Sequence, residues 1–453
     1  MTKLRVGAAK ADISPPLHIP YLGGEPRYGE FAGIHDPLYA RATVLSCGGQ
    51  SVGILSADAL GLSTDLLGPG RDFIAEVRRR VAAETDLDPD GILLAATHAH
   101  STPDTYGILR LWEKPECRAW FEVFAGHLAW TLIRAWRDLT PARLGLGQTR
   151  VPGVGANRRL RDEQGRICSR GRMPEDATII DEGCCDDSLL VVLVRREGAA
   201  PVVIANFACH PVTVQVQPMM SADYPGFACA LVEQVLGSDS LCLFVQGAAG
   251  DINPVNDASG EFDDVASFGA MVGGGILQGV GQARLATGAE EVVLDAARRV
   301  VTIAARQAPD VDTARAAREE AVAALARVSR GAPEFPRLYG VARAADETYR
   351  LAQFGSDPLA AEVQALRLGD VGIATFPGEL FCGLGLRVKE RSPAPLTVIA
   401  ACANGCLGYL HPEEAWEHGG YEVGMGAWCR VAAGGSEKLA AAAEDLMRVL
   451  FAR

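Results

Sequence analysis

The chain is poor in the features that mark membrane, nucleic-acid and disulfide-stapled proteins. None of its apolar runs reaches the roughly 20 residues that a transmembrane helix needs. The opening residues Met1-Thr2-Lys3-Leu4-Arg5-Val6-Gly7 lack the apolar core and small-residue cleavage site of a secretory leader, so a cytoplasmic location is expected. Lys and Arg total 43 against 56 Asp and Glu, a formal net charge of -13 with no long basic cluster. That balance excludes a phosphate-binding field, hence nucleic acid as a partner, and disfavours stable attachment to anionic membranes. Histidine is also scarce, with eight residues, so where the histidines fall is informative.

What remains is the composition of a globular enzyme: 453 residues, 48% hydrophobic and 22% charged. The twelve cysteines match no zinc-ribbon spacing and read as reduced, buried thiols. Runs at 40–45 and 51–56 predict a hairpin around Gly48-Gly49, and 91–96, 188–193, 201–208, 241–246, 371–376 and 396–402 read as buried strands. Helical spacing is expected over 65–85 after an irregular start, over 113–139, and over 312–330, the last a surface insertion near 308–336 ended by Pro333 and Pro336. A closing helix is expected over 436–451, capped by Ser436. Residues 157–187 form a long polar, Arg-rich loop of active-site length. The glycine-rich stretch 273–281 fits neither nucleotide-binding fingerprint and reads as close helix packing. Asp186-Asp187 and the acidic stretch 257–264 read as solvated turns, with oxygens that a calcium or magnesium ion would also accept. This alternation gives an α/β fold of mixed sheets with outer helices, expected to form one domain over 1–453, with a homo-oligomer as an open possibility.

Two histidine segments stand where strand-like runs stop: Thr97-His98-Ala99-His100-Ser101 after 91–96, and Cys209-His210-Pro211 after 201–208. Strand ends deliver polar side chains to one sheet edge, so these imidazoles are candidate metal ligands; the competing reading is that each is a packed structural histidine. Glu379 follows the strand ending at Phe376, after the tight turn Pro377-Gly378, and reads either as a ligand or as a cap on a helix beginning near Leu380. Tyr409 and Tyr421 are weaker candidates, since turn tyrosines are commonly packing residues.

Taken in order, these segments resemble the neutral ceramidases, zinc-dependent amidases, and the wider group that shares their N-terminal catalytic domain. The resemblance also draws on Asn157-Arg158, Ser221-Ala222-Asp223, the stretch Gln246-Gly247-Ala248-Ala249-Gly250-Asp251-Ile252-Asn253-Pro254, Gly408-Tyr409, Pro412-Glu413-Glu414 and Tyr421-Glu422. It implies one zinc ion per chain, held by His98, His210, Glu379 and Tyr409. It further implies a catalytic set of His100, Arg158 and Tyr421, with His100 facing the oxyanion or moving a proton and Arg158 or Tyr421 holding the substrate's carbonyl or leaving group. Asp58 and Asp251 are candidates for orienting the imidazoles.

Two departures modify what the resemblance implies. Gly247 stands where ceramidases carry a serine, so any role for that hydroxyl is lost. The chain is also expected to carry no immunoglobulin-like C-terminal domain, which, with the missing leader, favours a small soluble amide over a membrane lipid as substrate. The expected activity is therefore amide hydrolysis by metal-activated water. The alternatives are a zinc esterase, a phosphoester hydrolase with two metals, or a non-catalytic binding protein that keeps the fold.

Overall fold

The computed structural model describes residues 3–21, 29–170, 173–286 and 288–452. Its centre is a mixed sheet of eight strands, in the spatial order Leu241–Gln246, Val202–Phe207, Ser188–Arg196, Thr140–Arg150, Arg5–Asp12, Tyr39–Cys47, Gln50–Ala57 and Ile92–Ala96. The hairpin between Tyr39–Cys47 and Gln50–Ala57 turns at Gly48 and Gly49, with φ of +64° and +82°. Two successive left-handed residues define the tight hairpin turn whose twist matches its strands, and glycine adopts them without steric cost.

A second sheet contains Leu294–Ile303, Leu359–Leu368, Val371–Thr375 and Leu396–Ala400. One apolar core lies between the sheets, built from Leu45, Ile54, Leu93, Ile204 and Leu243 on one side and Leu366, Ile373 and Val398 on the other. The segment after Ala400 ties them together: Ala401 N–H donates to Gln246 O at 2.9 Å, Ala96 N–H to Cys402 O at 3.0 Å, and Asn404 N–H to Leu94 O at 2.8 Å. Both edge strands of the large sheet, Leu241–Gln246 and Ile92–Ala96, are thus capped by one piece of chain.

Helices cover the outer faces. Phe73–Ala82 and Pro115–Arg137 pack on one half of the large sheet, the latter through Phe121, Phe124, Leu128 and Leu132, the three-to-four spacing of an amphipathic stripe. Asp223–Leu236 and Phe262–Leu285 cover the other half. Here the glycine-rich stretch acts as expected: a Cβ on Gly147 would lie 2.1 Å from Gly279 O, and one on Gly279 would lie 2.7 Å from the Val191 side chain. Cys382–Arg391 and Gly435–Phe451 back the smaller sheet.

The mixed α/β architecture agrees with the sequence reading, and several local details differ from it. The helix over Val311–Ala326 is followed by a second, Phe335–Phe354, with Pro336 in its first turn. Proline is tolerated there because the first helical N–H groups have no intrahelical acceptor. Ser436 lies inside Gly435–Phe451 rather than capping it, and its hydroxyl has no partner among the described residues. Residues 157–187 contain the short strands Arg159–Asp162, Ile167–Ser169 and Ile179–Asp181. The acidic turns are occupied by protein groups: Asp186 meets Lys389 Nζ at 2.6 Å, Asp187 meets Arg150 at 2.8 Å, and Asn256 donates to Asp264 at 2.7 Å. The twelve cysteines are free, and all but Cys184 and Cys185 are buried.

Candidate metal centre

Each candidate residue follows the end of a buried strand. Ile92–Ala96 leads to His98 and Val202–Phe207 to His210, while Val371–Thr375 in the smaller sheet leads to Glu379. His98 has a φ of +67°, unusual for a residue with a side chain, and its N–H donates to Ala59 O at 2.9 Å.

The three imidazoles of His98, His100 and His210 offer nitrogen atoms within 4.8 Å of one another. His210 Nε2 lies 2.9 Å from Glu379 Oε2, and His98 Nε2 lies 3.3 Å from the same oxygen. Behind the cluster, His98 Nδ1 faces Leu60 O at 2.6 Å, and His210 Nδ1 faces Ala249 O at 2.5 Å and Ile252 O at 3.2 Å. A carbonyl only accepts, so each Nδ1 carries a proton, and each Nε2 is turned toward Glu379. His100 Nε2 is 3.3 Å from His98 Nε2, and its Nδ1 has no such anchor among the described residues.

Burial pushes His210 down to about 4 and His100 well below the ordinary histidine value, with the neighbouring imidazoles adding to the shift of each. Burial alone would raise Glu379, but the His98 and His210 imidazoles outweigh it and hold the carboxyl well below its ordinary range. Imidazoles and a carboxylate, buried and converging on one point, are donor types that zinc accepts. The residues therefore fit a zinc ion on the chemistry of their donors.

Tyr409 stands beside this cluster, its ring centroid 6.5 Å from that of His210. It sits on a two-residue parallel ribbon, Glu379–Leu380 with Tyr409–Leu410. Glu379 therefore belongs to a strand and does not cap the following helix, which starts at Cys382 with Phe381 as its cap residue. The Tyr409 hydroxyl accepts from Arg158 Nη2 at 2.8 Å. Burial raises the Tyr409 pKa well above the ordinary phenol value despite the opposing pull of Arg158.

Arg158 spends its other donors on protein: Nε to Glu422 at 2.8 Å, Nη1 to Asn253 at 2.9 Å and Nη2 also to Gly250 O at 3.0 Å. The guanidinium is built into the wall, holding Tyr409 in place. Tyr421 stacks on Trp428 at 4.8 Å and stays 43% exposed, with its centroid 6.1 Å from that of Tyr409, so it lines the rim.

Neither carboxylate considered as an orienter of the imidazoles acts that way. Asp58 is committed to buried Arg41 at 2.7 Å and to Tyr39 N–H at 2.9 Å. Asp251 accepts from Cys382 N–H at 2.7 Å and Asn157 Nδ2 at 2.8 Å. Backbone carbonyls do that work, and periodicity carries no signal for them. Sequence reasoning also passed over Tyr106, whose hydroxyl donates to Glu379 Oε1 at 2.5 Å; a tyrosine inside a polar loop carries no pattern that would single it out.

The fold is that of the neutral ceramidases. A neutral ceramidase from Pseudomonas aeruginosa superimposes on the whole of this chain and 75% of its own, with a TM-score of 0.73 at 19% identity. A ceramidase complexed with C2 does so over the whole of this chain and 76% of its own, again at 0.73, with 17% identity. No protein-family model matches the sequence, and no curated protein matches it.

Proposed function

We propose that this protein is a zinc-dependent hydrolase that cleaves an amide bond, acting on a smaller and more soluble substrate than ceramide. The observation that carries the reading is the convergence of His98 and His210 Nε2 on one oxygen of Glu379, with both Nδ1 atoms locked onto carbonyls. The fold shared with two solved ceramidases supports this reading. His98, His210 and Glu379 would hold the metal, with the Tyr409 hydroxyl as a fourth donor. Bound there, zinc supplies a Lewis acid that polarises a carbonyl and lowers the pKa of water toward neutrality.

The chain's own groups do the rest. Arg158 holds the Tyr409 hydroxyl toward the cluster and, as a buried cation, favours negative charge developing on a tetrahedral carbon's oxygen. His100, neutral and unanchored, is placed to take a proton from the attacking water and return it to the departing amine nitrogen. Tyr421 and Trp428 give the rim a flat apolar wall for the acyl or amine portion.

The net charge of -13 supports a soluble substrate over one drawn from an anionic bilayer. A panel of N-acyl amides of graded chain length, assayed with and without added zinc, tests the reading. Zinc-dependent release of free amine, best with short acyl chains, is the expected result. Inertness across the panel, with zinc bound, would favour a binding protein that keeps the fold.

A further inference from the structure

Ligands to a metal are held by partners behind them, and those partners set how tightly the ion is gripped. Here the two imidazoles are backed by main-chain carbonyls, Leu60 O and Ala249 O. The carboxylate is backed by a side chain. Tyr106 donates to Glu379 Oε1 at 2.5 Å, while Oε2 faces His210 and His98 at 2.9 and 3.3 Å. A free carboxylate turns about its last bond and presents either oxygen or both. One engaged on Oε1 by a neutral donor has a single oxygen left to give.

The tyrosine is itself rigidly held. It is 5% exposed, and its loop is tied down by Asp104, which accepts from the N–H groups of Tyr106, Gly107 and Leu109 at 3.1, 3.0 and 2.6 Å. A side chain at Gly61 would come within 3.0 Å of Cys406 Sγ and 3.5 Å of the Tyr106 ring, so the ring is packed on that side too. The loop that carries His98 and His100 therefore also grips a carboxylate 273 residues away in the chain.

We propose that Tyr106 is the positioning residue of the metal centre: by donating to Oε1 it fixes the rotation of Glu379 and leaves Oε2 as the one oxygen presented to the ion. The inference rests on the metal reading above and concerns how tightly the ion is held. The experiment measures the zinc dissociation constant of the full chain by competition with a chromophoric chelator, alongside the melting temperature of the metal-free protein. Tyr106→Phe keeps the ring and removes the donor. It is expected to weaken zinc binding about 10- to 100-fold while the metal-free protein still unfolds in a single cooperative transition. In a Glu379→Ala background, with no carboxylate to orient, Tyr106→Phe is expected to change the zinc affinity by less than about twofold. Equal affinities for wild type and Tyr106→Phe would overturn this inference and leave the metal reading standing. An equal loss in both backgrounds would also overturn it, because the hydroxyl would then be acting through something other than Glu379. Wild-type protein that binds no zinc would overturn the metal reading and this inference with it.

Discussion

Glu379 and Tyr409 stand opposite each other in register on a parallel ribbon only two residues long. Paired residues on adjacent strands project to the same face, so the carboxylate and the phenol are delivered side by side by the two strands of this ribbon. The phenol is then steered by Arg158 at 2.8 Å. Replacing Arg158 with Gln is expected to reduce turnover about 10- to 100-fold, the equivalent of one hydrogen bond to a charged group at about 1.5 to 3 kcal/mol. Glu422 keeps Arg159 as a partner in this variant, so the fold should hold. A double-mutant cycle with Tyr409→Phe checks the cause: the two losses should be far from additive, whereas additive losses would separate Arg158 from Tyr409.

Metal content distinguishes the histidines. The wild-type chain should carry about one zinc, and His98→Ala or His210→Ala should lose both the metal and the activity. His100→Ala should keep the metal and lose turnover, because His100 lacks the carbonyl anchor on Nδ1 that fixes His98 and His210. Elemental analysis of the three purified variants decides this. A zinc-free His100→Ala protein would make His100 a ligand.

The buried Asp251 carboxyl links stability to pH. Burial pushes it up to about 6, against the pull of the Cys382 N–H and the Asn157 amide. The folded state therefore binds this proton more tightly than the unfolded chain, whose value is about 3.9. Its stabilising contribution is complete below about pH 4 and is lost as the pH rises through about 6, a total on the order of 3 kcal/mol. Asp104 and Asp223 are raised to about 6 as well, so urea unfolding of metal-free protein from pH 4 to 8 should show a decline in wild type that is smaller by that amount in Asp251→Asn. Parallel curves for the two proteins would count against the assignment.

Gly247 follows the strand Leu241–Gln246 at a point with little room for a side chain. A Cβ at this position would meet Ala208 Cβ at 2.8 Å and Phe207 O at 3.1 Å. Gly247→Ser should therefore cost about 1 to 3 kcal/mol by overpacking and raise no activity, as read by thermal unfolding and the amide assay. A more active or equally stable variant would show that the strand end can open to accept a hydroxyl.

How much of this was legible in the sequence depended on the range of the interaction involved. His98, His210 and Glu379 could be found because each follows a buried strand, and strands are written in local runs of apolar residues. Tyr409 stands out only weakly, as a turn tyrosine, and Arg158 only through the likeness to ceramidases. The saturation of Arg158 by Glu422, Asn253 and Gly250 could not be found, because those partners come from two distant segments, around 250–253 and at 422. Pro336 misled for the opposite reason: proline is a local signal, but it permits a helix start as readily as it enforces a stop. Tyr106 left no trace because its meaning lies in a contact across 273 residues.

Because His98 and His210 follow strands of the eight-stranded sheet while Glu379 follows a strand of the four-stranded one, the centre exists only after the two sheets have docked. An ion seated there would act as a rivet between segments drawn from both sheets, and its affinity would report on their closure. Zinc uptake during refolding should then lag behind the appearance of secondary structure, arriving with the last cooperative step.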